Sequence, residues 1–174
     1  GRVLWMIDPL GNRTDHEYNN ADGPARIIHP AVDGRRADET FEYDAAGRVI
    51  RHADEAGVVT RLSYTADGRP ASVTRAGVLL ELRSYSSRKD LVAVTDAGGH
   101  TTTYDYDPRH HLRSAVGPDG LERSFAYRSD GSRVEESIAG VSTQRYSYDE
   151  RGLTVAVEQV ETGAIVRYEY DAAG

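Results

Sequence analysis

Cysteine is absent from all 174 residues, so neither a disulfide nor a thiolate metal site helps to hold this chain together. One methionine, one tryptophan and two phenylalanines leave little of the usual filling of a compact core. Lysine is almost missing as well: Lys89 stands alone beside 20 arginines, a bias that a GC-rich coding sequence explains without any selected surface chemistry. No apolar run nears the ~20 residues that a helical membrane span needs, and no charged-then-apolar segment opens the chain. The arginines are interleaved with aspartate and glutamate at a net charge of −7, so there is no basic stripe for nucleic acid to follow.

What the chain does have is tyrosine at a fixed spacing. Tyr18, Tyr43, Tyr64, Tyr85, Tyr106, Tyr127, Tyr148 and Tyr170 each close a stretch of alternating side chains. The five gaps from Tyr43 to Tyr148 are 21 residues, the last gap is 22 and the first is 25. A constant period in this range marks a repeat architecture, one small unit copied. Four residues after most of these anchors comes a glycine, as in Tyr43-Asp-Ala-Ala-Gly47, Tyr64-Thr-Ala-Asp-Gly68, Tyr148-Asp-Glu-Arg-Gly152 and Tyr170-Asp-Ala-Ala-Gly174. About ten residues further on a second turn signal appears, at Asp54–Gly57, Ala76-Gly77, Asp96–Gly99, Pro118–Gly120, Ala139-Gly140 and Thr162-Gly163. Two turns per period leave two short strands, a β-hairpin per repeat.

Composition supports strands over helices. Val58–Tyr64, His100–Tyr106 and Ala164–Tyr170 are rich in β-branched and aromatic residues, and glycine recurs too often for helices of ordinary length. Phe41, Leu62, Tyr104, Phe125, Tyr146 and Tyr168 lie two residues before an anchor and share its face, while Glu42, Ser63, Asp105, Ala126, Ser147 and Glu169 point the other way. Eight units of two strands predict about 16 strands, roughly 75–80 Å across if flat. Open sheets beyond about ten strands curl, split or flatten. The expected fold is all-β: antiparallel β-hairpin repeats of about 21 residues in a curved or spiral sheet, with residues 1–174 forming a single array of about eight repeats cut from a larger protein.

Phe41-Glu-Tyr-Asp-Ala-Ala-Gly-Arg-Val49, Tyr104-Asp-Tyr-Asp107, Tyr146-Ser-Tyr-Asp-Glu-Arg-Gly152 and Tyr168-Glu-Tyr-Asp-Ala-Ala-Gly174, with Asp8-Pro-Leu-Gly11 as a partner turn, resemble the tyrosine-aspartate (YD) repeats of the Rhs and teneurin families. The likeness runs over essentially the whole chain. It implies a spiral β-sheet wound into a hollow shell, which in bacterial Rhs proteins and toxin complexes encloses a variable C-terminal toxin and in teneurins belongs to an adhesion ectodomain. Three turns depart from the pattern. Tyr85–Lys89 and Tyr106–His110 lack the closing glycine, and Tyr18–Gly23 carries an extra residue, so irregular geometry is expected there. The four extra residues between Tyr18 and Tyr43, around Pro24 and Pro30, predict a bulged or lengthened first loop.

Few residues invite a chemical reading. His100, His110 and His111 are close in sequence, but about seven strand residues span ~23 Å, too far for a shared metal ion without cross-strand help. Asp105 and Asp107 could suit acid/base work at period two, yet a YD aspartate is better placed to cap its turn. Asn20–Gly23 and Asp96–Gly99 lack the spaced ligands of a calcium loop. Asp8-Pro-Leu-Gly11 is similar to the Asp-Pro-x-Gly-Leu of Rhs self-cleavage regions, but Asn12 takes the leucine position and the array continues beyond it, so it reads as an ordinary turn. No catalytic, cofactor-binding or metal residue is assigned, and no cofactor is expected.

Two functions remain open. One is a non-catalytic shell segment of a secreted or cell-surface bacterial protein, with the rest of the shell and its toxin cargo as partners. The other is an adhesion module whose tyrosines stack on carbohydrate; the same tyrosines serve as cross-strand packing without any ligand. Unpaired end strands further predict edge-to-edge self-association of the isolated array.

Overall fold

The computed structural model describes residues 1–139 and 141–171; Gly140 and Gly174, assigned above to turns, lie outside them. The fold is all-β, an antiparallel architecture of sixteen strands with no helix among the described residues. The chain divides into two compact units, Gly1–Arg83 and Ser84–Gly174. The first holds β1 (Trp5–Ile7), β2 (Arg13–Tyr18), β3 (Pro24–Val32), β4 (Arg35–Tyr43), β5 (Val49–Ala53), β6 (Val59–Tyr64), β7 (Pro70–Arg75) and most of β8 (Val78–Tyr85). The second holds β9 (Leu91–Asp96), β10 (Thr101–Tyr106), β11 (Leu112–Val116), β12 (Glu122–Tyr127), β13 (Arg133–Ile138), β14 (Ser142–Tyr148), β15 (Thr154–Gln159) and β16 (Ala164–Arg167). Within each unit, strands pair with their neighbours in sequence, as expected of hairpin repeats.

Several strands that end in an anchor tyrosine alternate toward that end, whereas β2 and β4 carry runs of half-buried residues. In β10, Thr102, Tyr104 and Tyr106 are half-buried while Thr101, Thr103 and Asp105 are exposed, and Tyr146 and Tyr148 flank exposed Ser147 in the same way. Their partners do not alternate: β13 and β15 are half-buried at every position. Long charged side chains account for part of this, as where Arg145 of β14 reaches Glu135 of β13 at 3.0 Å. The described residues form no conventional core. Ala53, at 9% exposure, is the one buried hydrophobic residue among those described, and the chain exposes 11587 Å² where a globular chain of its mass would expose about 8,400 Å². Stability therefore has to come from strand pairing, side-chain ladders and turns.

The turns after the anchors share one geometry. In Asp44–Arg48 the amide of Asp44 donates to the carbonyl of Arg48 at 2.9 Å, the amide of Gly47 donates back to Asp44 at 3.0 Å, and Gly47 takes φ 77°. The ladder slips by one residue just before the tyrosine at Glu42/Tyr43, Ser63/Tyr64, Asp105/Tyr106, Ala126/Tyr127 and Ser147/Tyr148. This is a tight turn closed by a left-handed residue and a bulge, which increases local twist.

The three turns expected to be irregular are regular. Lys89 and His110 occupy the glycine position at φ 77° and 69°, with the same pair of backbone bonds around them. In the first turn Asp22, at φ 63°, fills that position, so Gly23 is the residue after the turn and no extra residue is present. Hydrogen bonding within the turn holds non-glycine residues in a conformation that sequence alone associates with glycine. The four additional residues of the first period lengthen β3 and β4 to nine residues each and create a register shift between Ile28 and Ala31. Arg36 staples this bulge: its guanidinium donates to the carbonyls of Ile28 at 3.0 Å and His29 at 2.8 Å and pairs with Asp15 at 2.7 Å.

Gly47→Ala meets no atom within 4 Å of the added methyl, so any loss is backbone strain. It should destabilise the chain by about 1–2 kcal/mol, and Lys89→Gly should stabilise it by a similar or smaller amount. Urea denaturation of both variants measures this; a neutral Gly47→Ala would show that the left-handed residue does not constrain the turn.

Candidate functional site: the tyrosine turns

The residue after most of the anchors supplies a side-chain oxygen that closes the turn from inside. Asp44 Oδ1 accepts the amides of Ala46 at 2.9 Å and Arg48 at 3.0 Å. Asn19, Asp107 and Asp149 repeat this two-amide bond in their turns, and Ser86 does so through its hydroxyl. Asp8, Asp54 and Asp96 use it in the opposite set of turns. Thr65 accepts the single amide of Arg69 at 3.0 Å through its hydroxyl, and Arg128 supplies no oxygen; there Asp130 accepts the amide of Ser132 instead. Charged-acceptor bonds of this kind favour the ionised carboxylate. Amide bonds from Val58, His100 and Leu153 hold Asp54, Asp96 and Asp149 below the usual carboxylate range, and the Arg48 side chain, followed by its amide, does so for Asp44.

The anchor phenols clasp the hairpins from the other side. Tyr18, Tyr43, Tyr64 and Tyr170 donate to the carbonyls of Val3, Pro24, Val49 and Thr154 at 2.8–2.9 Å, and Tyr148 donates to Arg133. Each acceptor lies 15–19 residues back, near the start of the preceding strand. The ring faces are engaged as well. Arg48 stacks on Tyr64 at 4.4 Å, Arg128 on Tyr148 at 4.8 Å and Arg2 on Tyr18 at 5.3 Å, and the His111 ring lies 4.9 Å from that of Tyr127. Because Arg48 and His111 sit in one turn and their tyrosines in the next repeat, these contacts tie successive units together. At the same turn position Gly23 leaves room for Tyr43, whose ring carbon would stand 3.2 Å from a Cβ there.

The residues weighed for chemistry are occupied by turn structure. His100, His110 and His111 contact three different carboxylates, Asp96, Asp90 and Asp107. Asp105 pairs with Arg113 at 2.7 Å, whereas Asp107 caps its turn, and the bulge falls between them. Asp8–Gly11 is a regular turn, with Asp8 and Asn12 joined at 3.0 Å. An open groove near Asp107, Arg109, Phe125 and Tyr127 has a volume of about 360 Å³.

A cluster invisible in the sequence lies in the first unit. Nε2 of His29 is 2.9 Å from Oε1 of Glu39 and 3.2 Å from Oε1 of Glu55, and the second oxygen of Glu39 is 2.9 Å from Nε2 of His52. Hydrogen bonding from His52 holds the Glu39 carboxyl below its ordinary range. Four residues spread over 27 positions carry no local motif; only strand pairing and the β3 bulge join them.

The fold and its turns define a class: a structural array of hairpin repeats stitched by tyrosine and aspartate. Residues 43–77 and 85–127 match the family model described as RHS Repeat. The chain is 29% identical over 145 residues to Double-stranded DNA deaminase toxin A of Burkholderia cenocepacia (strain H111), covering 83% of this chain and 8% of that protein. It is 31% identical over 115 residues to Teneurin-1 of Mus musculus, covering 64% of this chain and 4% of the other. It thus spans under a tenth of either relative. The crystal structure of TcdB2-TccC3 matches all of this chain and 11% of its own length at a TM-score of 0.74 and 20% identity, which shows the shared fold. The repeats of this chain are thus of the RHS type over residues 43–77 and 85–127, and the chain is similar to Rhs and teneurin proteins, in agreement with the resemblance read from its tyrosine turns.

Two outcomes follow for the turns. Tyr64→Phe removes the clasp to Val49 while keeping the ring under Arg48, and should cost about 0.5–1.5 kcal/mol in urea denaturation; no loss would mean that the bond adds nothing net. The second concerns acid. Asp44, Asp54, Asp96 and Asp149 have folded values below their ordinary 3.8, so their contribution is fully present above that pH and is lost as pH falls from 3.8 through the lowered folded values. Thermal melting from pH 7 to 2 should show a steep drop in that window, with a flat profile excluding the capping carboxylates as a source of stability.

Proposed function

We propose that this chain is a wall segment of an Rhs-type shell that sequesters a toxic or otherwise harmful C-terminal cargo, working as one stretch of a longer repeat array in a secreted or cell-surface protein. The observation that carries this reading is a repeat fold with scarcely a buried side chain, shared over its whole length with TcdB2-TccC3. A sheet whose tyrosines, arginines and aspartates are spent on its own turns and neighbours is equipped to extend and enclose. The similarity to a deaminase toxin supports a toxin-bearing parent.

The carbohydrate-binding alternative draws on the teneurin likeness and on the aromatic groove beside Tyr127. Against it stand the ring contacts, since stacking on a sugar needs a free face and Arg or His already lies on one face of several anchors.

Limited proteolysis of the full parent protein tests the proposal. Its C-terminal segment should survive protease levels that digest the same segment expressed alone; equal digestion rates would overturn sequestration. A saturable sugar found by calorimetry on this chain would instead favour the adhesion reading.

A further inference from the structure

We propose that His29, Glu39 and Glu55 form a binding site for a divalent first-row transition-metal ion of the zinc type, with His52 positioning the Glu39 carboxylate. The three ligand atoms lie within 4.8 Å of one another. Two of their separations, 2.9 and 3.2 Å, come close to the edge of a tetrahedron with metal bonds of ~2.0–2.1 Å, about 3.3 Å. An imidazole nitrogen carries at most one hydrogen, so His29 Nε2 cannot make a full bond to both carboxylates; a cation between the three atoms satisfies all of them. Two carboxylates and a neutral imidazole also leave two negative charges for a divalent ion to neutralise. The mixed nitrogen and oxygen donor set suits zinc and its neighbours better than calcium or magnesium.

The surroundings are those of a metal ligand set. Nε2 of His52 bonds the outer oxygen of Glu39, and the His52 ring stacks on Phe41 at 4.7 Å and 13°, which fixes the carboxylate's direction. His29 and Glu39 are each about a quarter exposed, and Glu55 sits on the open side in the turn after β5. Nor is the cluster a by-product of the repeat. The positions matching His52 after Tyr64, Tyr85 and Tyr106 are Val73, Val94 and Ala115, and those matching Glu55 are Ala76, Ala97 and Pro118. His29 belongs to the lengthened first period, where the bulge held by Arg36 carries it to Glu39.

Calorimetric titration of the metal-free chain with Zn²⁺ should give one saturable equivalent, and Co²⁺ in its place should give visible absorption bands of low-coordinate cobalt. His29→Ala and Glu55→Gln should each weaken binding at least about tenfold, and His52→Ala about 10–100-fold. Glu55→Gln is exposed and conservative, so its fold should survive, which circular dichroism checks. His100→Ala and His110→Ala should leave the affinity unchanged. Absence of saturable binding would overturn the proposal, as would an affinity unmoved by both His29→Ala and Glu55→Gln or an equal loss in His100→Ala.

Discussion

A single side-chain oxygen bonded to two backbone amides is the interaction on which the rest depends. Placed one residue beyond an anchor tyrosine, it satisfies donors that a tight reversal turns away from the ladder. In a globular domain a poorly made turn is rescued by the core it overlies. Here almost nothing is buried, so a reversal has to be complete in itself. The left-handed residue, the one-residue slip before the tyrosine and the aspartate acceptor form one package, and the strand register follows from it.

Tyrosine is the residue that such a layer needs. Its ring offers apolar area to an arginine or histidine of the adjacent repeat, and its hydroxyl reaches a carbonyl near the start of the preceding strand. Phenylalanine could supply the first contact only, and a serine hydroxyl sits too close to the backbone to make the second. Each term is worth on the order of 1 kcal/mol, and their recurrence in many units takes the place of a hydrophobic interior. Arginine's dominance over lysine has a structural use whatever its genomic origin, because a planar guanidinium stacks on rings and spans two carbonyls, as Arg48 and Arg36 do.

The tyrosine period, the glycines and the alternation made the strands and their order legible in the sequence. Glycine at the turn's fourth position was legible for a physical reason, its freedom at positive φ. Asp22, Lys89 and His110 take the same positive φ without being glycine, since a well-bonded turn imposes that conformation on other residues. The aspartate caps were readable because acceptor and amides are neighbours in sequence. The histidine and glutamate cluster was not: proximity in sequence drew attention to His100, His110 and His111, whereas His29, Glu39, His52 and Glu55 meet only after three strands pair and one of them bulges.

Within each unit every strand pairs with strands next to it along the chain. No contact has to wait for a distant segment, so the loop-closure entropy of each step is small and the steps are alike. Such an array can fold in the order in which it is made, each hairpin docking on the one already finished as the ribosome delivers it. The growing edge is then both template and product, and assembly needs no more information at the last repeat than at the first.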